Sequence, residues 1–173
     1  MTSFYDLTIP VLTKILQTEV ELLKEAEKYA KENGKSVDDL LKARLSPDMF
    51  PASTQVSITA MFTNKILQIL VGNKFEWNVR ELTLEECYAL IQGALADLAA
   101  VKPEDLNGRE AEIVEFPIGK KLCKATAAEF VQRPVASQMY FHLNMLYANL
   151  RKEGVPLGKP LYLTHFIDGW TLH

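Results

Sequence analysis

His142 is the residue of this chain best suited to chemistry. It lies in Gln138–Leu163, QMYFHLNMLYANLRKEGVPLGKPLYL, where an expected helix, apolar on nearly every side, runs into a Gly/Pro tail. An imidazole set in such a helix exchanges a proton near neutral pH once it is positioned against a substrate. The same setting also suits a neutral core histidine bonded to a carbonyl or hydroxyl. Steps of four, three and four put Gln138, His142, Met145 and Asn149 on one helix face, a row of amide, imidazole and thioether groups able to line a pocket. Asn144, polar within the same apolar helix, calls for an interior partner as well.

Other candidates surround this row in sequence. Asp48 sits between Pro47 and Met49 in the link LSPDMFPAS and is a candidate to orient the imidazole; capping the helix that opens near Ser53 is its alternative role. Arg109, in NGREAEI, is suited to an anionic substrate or to an ion pair that braces the turn. Tyr147 shares a face with Tyr140 seven residues earlier, as a pocket phenol or as a packing aromatic. Lys159, in Leu-Gly-Lys-Pro, lacks the Gly-rich spacing of a phosphate loop. Cys87 and Cys123 lie far apart with no CxxC spacing and read as free structural thiols.

The elements that must position these residues are mostly helical. A first helix is expected from Asp6–Thr8 to about Asn33, stopped by Gly34, with Ile9, Leu12, Ile15, Leu16, Val20, Leu22, Leu23, Ala26 and Ala30 as its core stripe and its Glu and Lys residues after Glu19 as a solvated face. A short helix follows over 36–44. The two prolines of LSPDMFPAS break the chain there and tuck Met49 and Phe50 inward. A second long helix runs from Ser53 or Thr54 to Val71 before Gly72, and a third opens at the Thr83/Glu86 capping box and ends near Val101. Arg109 to Ala125 is the one strand-like region, a small hairpin or two extended arms about Pro117-Ile118-Gly119. Thr126/Glu129 forms another capping box, Pro134 forces a break or kink, and the His142 helix runs from about Val135 to Glu153. An extended tail is expected after Gly154.

At 173 residues and 48% hydrophobic, the chain suits one compact domain, 1–173. A net charge of -3 with interspersed signs gives no field to gather nucleic acid or anionic membrane. The apolar runs are too short and too interrupted to span a bilayer, and the N-terminal residues lack a basic n-region and cleavage site. A cytoplasmic chain is expected.

RLSPDMFPASTQ (44–55), LNGREAEI (106–113) and YFHLNMLYANLRKEGVPLGKPLYL (140–163) resemble an uncharacterised, DUF1993-like family within the DinB/YfiT-like superfamily. That resemblance implies an all-α four-helix bundle, and it aligns Gln55 with a glutamine of the family, as a polar wall facing His142; a surface glutamine is its alternative role. Many members of the superfamily resemble one another in a metal centre of three histidines used in thiol-dependent transfer or isomerisation. Only His142, His165 and His173 are available here, so no metal or other cofactor is expected; the tail delivering His165 is the one route to a metal site. The leading expectation is a small enzyme that moves a proton on an organic metabolite, as an isomerase, dehydratase or cyclase. His142 would be the acid or base, Asp48 would tune it, and Gln55, Gln138, Met145, Asn149, Tyr147 and Arg109 would contact substrate. The alternatives are a non-catalytic binding or dimerising bundle and a metal-dependent transferase. A homodimer is expected from the broad apolar content of the second and fourth long helices.

Overall fold

In the computed structural model, which describes residues 2–171, helix α1 spans Phe4–Glu32, α2 Val37–Leu41, α3 Ala52–Val71, α4 Leu84–Ala99 and α5 Pro103–Leu106. Strands β1 (Ile113–Ile118) and β2 (Lys121–Thr126) follow, then α6 (Ala127–Phe130), a π-helical turn (Val131–Val135), α7 (Ala136–Lys152) and α8 (Lys159–Leu163). Four long helices form a ring in which α3 packs on α4 and α7, and α1 packs on the same two. Their apolar stripes meet in one core, with Ile15, Leu16, Leu22, Leu23, Ile66, Leu67, Ile91, Leu98, Met139 and Leu143 sealed from solvent. Burial of these faces is the main driving term for the arrangement. Among the described residues, no helix is long and apolar enough to cross a membrane.

Local chemistry fixes the ends. Thr83/Glu86 and Thr126/Glu129 form reciprocal capping boxes, each hydroxyl taking the N3 amide while the N3 carboxylate takes the N-cap amide. Ser3 and Asp6 form a third, which starts α1 earlier than Pro10 suggests and leaves that proline inside the helix. Asp38 of α2 accepts from the Leu84 amide at 3.2 Å, so the short helix also serves the start of α4. Gly72, at φ +80°, closes α3 in the left-handed conformation that glycine adopts without Cβ strain. The hairpin pairs Ile113 with Thr126 through to Ile118 with Lys121 about Gly119, a longer ladder than a minimal turn requires.

Three expectations need correction. The tail is not extended: Lys159-Pro160 opens α8, where proline suits the first helical turn, and α8 packs on α1. Tyr162 then meets Tyr147 at 6.0 Å and Phe166 meets Tyr140 at 6.0 Å, so the tail covers the tyrosine face of α7. The α7 helix is not apolar all round either, since Phe141 and Asn144 are exposed and Asn144 needs no interior partner. In the α2–α3 link Met49 is half-buried, but the Phe50 ring is 57% exposed.

Gly154 is the tightest glycine. Its φ is +96°, and a Cβ there would stand 2.7 Å from the Tyr29 hydroxyl. Gly154→Ala is therefore expected to cost about 1–3 kcal/mol, read as a lower denaturation midpoint at unchanged slope.

Candidate functional site

Gln55 and His142 come together. Pro51 begins α3 so that Gln55 lies on its first turn, buried, facing α7. Its Nε2 donates to the Phe50 carbonyl at 2.9 Å, which turns Oε1 toward His142 Nδ1 at 2.8 Å. An amide oxygen only accepts, so Nδ1 carries the imidazole proton and Nε2 keeps its lone pair. Among the described residues no protein group bonds Nε2, and it is not among the sealed polar atoms without partners, so it faces solvent. A backbone carbonyl in a proline-flanked link thus sets the tautomer of the candidate base.

Burial pulls the His142 pKa down from its ordinary 6.5 to about 4, because the cation loses hydration with no carboxylate in return. The ring is neutral at pH 7. Between about 4 and 6.5 the unfolded chain holds a proton that the folded chain refuses. Stability is therefore complete above that window and falls as pH drops through it. After discounting for the half-buried ring, the loss is roughly 1–2 kcal/mol. The effect is read as a difference between chains: from pH 7 to pH 4.5, His142→Phe should gain roughly 1–2 kcal/mol on the native chain, the other titrating groups being common to both.

The remaining candidates divide. Asn149 is buried and donates to the same Phe50 carbonyl at 3.3 Å, so it holds the link; among the described residues its Oδ1 has no partner. Met145 is half-buried on α7. Gln138 shares a cavity of about 40 Å³ with Phe62, Lys65 and Ile66 of α3 and Phe116 and Ile118 of the hairpin. This crevice is too narrow to enclose a metabolite, and its apolar lining borders Phe62, which lies nearly parallel to His142 at 6.3 Å between centroids.

Asp48, Tyr147 and Arg109 serve structure. Asp48 is exposed and accepts from Ser46 at 2.5 Å, which holds its carboxyl below the usual range; Gln55, not Asp48, orients the imidazole. Tyr147 donates to the Leu157 carbonyl at 3.2 Å and anchors the tail. Arg109 pairs with Glu112 at 2.8 Å and donates to the Leu70 and Asp105 carbonyls, bracing the end of α3.

The donors do not fit a three-histidine metal centre. His142 is flanked one turn away by Gln138 and Leu146, and its Nδ1 is engaged with Gln55. The tail brings His165 to α1, 3.8 Å from Glu21, on the tyrosine side of α7 rather than the His142 side. His173 lies outside the described residues. Among the described residues, no three His, Cys, Asp or Glu groups converge.

One chemically notable residue escaped the sequence reading. Glu19 of α1 is sealed in the core and its pKa is raised well above the ordinary value by desolvation. Its Oε2 stands 2.8 Å from Thr59 Oγ1, which stands 2.9 Å from the Val56 carbonyl. One hydroxyl proton cannot serve both contacts. Both are made when protonated Glu19 donates to Thr59 and Thr59 donates to Val56. Cys87 lies close enough for Glu19 to add to the burial that pushes its thiol up to about 12, which leaves it unreactive. The only sequence signal for Glu19 is its place on the apolar stripe between Leu16 and Leu23.

The fold and site define a mainly helical DinB-like protein with one oriented, neutral histidine. The family model of the domain of unknown function DUF1993 matches residues 4–163, and the chain belongs to that family. It is also similar to the crystal structure of a DinB family member protein from Shewanella denitrificans, at 29% identity and a TM-score of 0.80 over 92% of this chain and 90% of that one. No curated protein matches it.

Proposed function

We propose that the chain binds a small organic metabolite between α3 and α7 of a four-helix bundle and that His142 Nε2 accepts a hydrogen bond or a proton from it. The observation that carries this reading is the relay from Phe50 through Gln55 to His142. It spends a buried glutamine on fixing one tautomer, and it leaves the acceptor nitrogen toward solvent. That geometry supports proton abstraction from an acidic O–H or C–H, as in an isomerase, dehydratase or cyclase.

A second reading is favoured by one observation. A base with a pKa of about 4 is poorly matched to proton transfer at pH 7, which supports sequestration of a ligand without turnover. A metabolite screen by thermal shift, followed by product analysis on each hit, separates the two. In the enzyme reading His142→Ala lowers turnover roughly 10²- to 10⁴-fold in a folded protein. Turnover unchanged by that substitution removes His142 from the chemistry, and saturable binding with no product leaves the binder.

A further inference from the structure

The surface around His142 carries an aromatic cluster assembled from three segments. Trp77 and Phe75, in the link between α3 and α4, stand 5.7 Å apart; Trp77 meets Phe62 of α3 edge-on at 5.4 Å; and Phe141 meets His142 of α7 edge-on at 5.2 Å. The link is held on α3 by the Arg80 amide, which donates to Ser57 at 3.2 Å. Trp77 is 53% exposed and Phe141 52% exposed. Large aromatic faces left open beside a polar group are the signature of a stacking surface.

A cation completes it. Lys65 lies one turn from Phe62 on α3, and Gln138 lies one turn from His142 on α7. The two helices run in opposite directions, as the pairs Gln55–His142 and Phe50–Asn149 show, so Lys65 and Gln138 face each other across the small crevice while Phe62 and His142 face each other one turn away. Lys65 Nζ lies 5.4 Å from the centre of the Phe75 ring and donates to Gln68 at 2.7 Å; among the described residues, no carboxylate pairs with it. The surface therefore offers an acceptor and, about 5–6 Å along the helix axes, a cation with an amide, joined by aromatic walls.

Resting on the His142 reading above, we propose that this face takes a planar aromatic carboxylate bearing a ring hydroxyl. The ring lies against Phe62, Trp77 and Phe141, the hydroxyl donates to His142 Nε2, and the carboxylate meets Lys65 and Gln138. A single benzene ring separates such groups by about one helical turn. The crevice is too small to swallow the ring, so the molecule lies across its mouth with one face open.

The test is titration of the full chain carrying Trp170→Phe, which leaves Trp77 as its sole tryptophan, with 4-hydroxybenzoate, benzoate, cyclohexanecarboxylate and phenol, read by fluorescence quenching and calorimetry. The expected order of affinity is 4-hydroxybenzoate, then benzoate about tenfold weaker, then cyclohexanecarboxylate. Lys65→Met weakens both aromatic acids about tenfold and leaves phenol unchanged, and His142→Phe erases the preference for the hydroxy acid. Acids that bind equally well in Lys65→Met, or a cyclohexane acid that matches benzoate, overturn the proposal. Phenol binding through His142 with no response to any acid overturns it while leaving the His142 site intact. No binding of phenol or acid overturns it as well, and a metabolite hit whose binding or turnover is lost in His142→Ala then keeps the wider reading alive.

Discussion

Glu19→Met is expected to stabilise the protein at pH 8, by about 1–4 kcal/mol. Glu19 is fully buried, and among the described residues its Oε1 has no hydrogen-bond partner and its Oε2 bonds only Thr59, which keeps the Val56 carbonyl when the acid is gone. The folded chain holds a proton that the unfolded chain releases above the ordinary 4.5. Native stability therefore falls as pH rises above that value, by about 1.4 kcal/mol per unit, until the raised folded pKa is reached. The sign is opposite to that of His142, whose contribution is lost on acidification. Urea denaturation across pH 5–9 should show a declining native curve and a flatter, higher Met curve; a variant less stable than the native chain at pH 8 would mean that Glu19 is held ionised by interactions that stabilise it.

Gln55→Leu is expected to act the other way, costing about 2–4 kcal/mol. It strands the His142 Nδ1 proton in a desolvated place and leaves the Phe50 carbonyl to Asn149 alone. It also frees the imidazole to exchange tautomers. Nitrogen chemical shifts of the ring would report a single Nδ1–H form in the native chain and a mixture in the variant. A native Nε2–H form would mean that the amide of Gln55 is turned the other way, donating to Nδ1, and that Phe50 does not govern the site.

Where an interaction is local, the residues show it. Thr83/Glu86 and Thr126/Glu129 predict helix starts because capping is decided within four residues, and Gly119 predicts the hairpin turn for the same reason. Ser3/Asp6 carries the same logic with a shorter acid, but Pro10 draws the expected start of α1 too far along. Gly158, Lys159 and Pro160 read as breakers because proline is ambiguous until a packing surface, here α1, rewards a helix. The site divides along the same line. Pairing of Gln55 with His142 is expected from the family resemblance and realised in the fold, whereas Asp48, Tyr147 and Arg109 find closer partners in Ser46, Leu157 and Glu112. Glu19 is invisible to pattern because a single acid on a helix of many acids looks solvated until α3 and α4 close over it. The aromatic cluster is equally non-local, drawn from α3, α7 and the link before α4.

The π-helical turn at Val131–Val135 works as a spacer in angle. A wide turn holds one residue more than an α-turn, so everything after it is rotated by about 100° relative to a continuous helix. Pro134 lies within it, and its missing N–H and bulky ring make the wide turn cheaper than a regular one at that point. The direction in which His142 faces is thus set about two turns upstream, by a count of residues rather than by any side chain at the site. Deleting one residue between Val131 and Val135 would swing the Gln138–His142 row away from α3 and present a different set of groups to Gln55 and Phe62. In this fold a single-codon change far from the histidine re-aims the whole face, a route by which related chains can carry different chemistry on the same four helices.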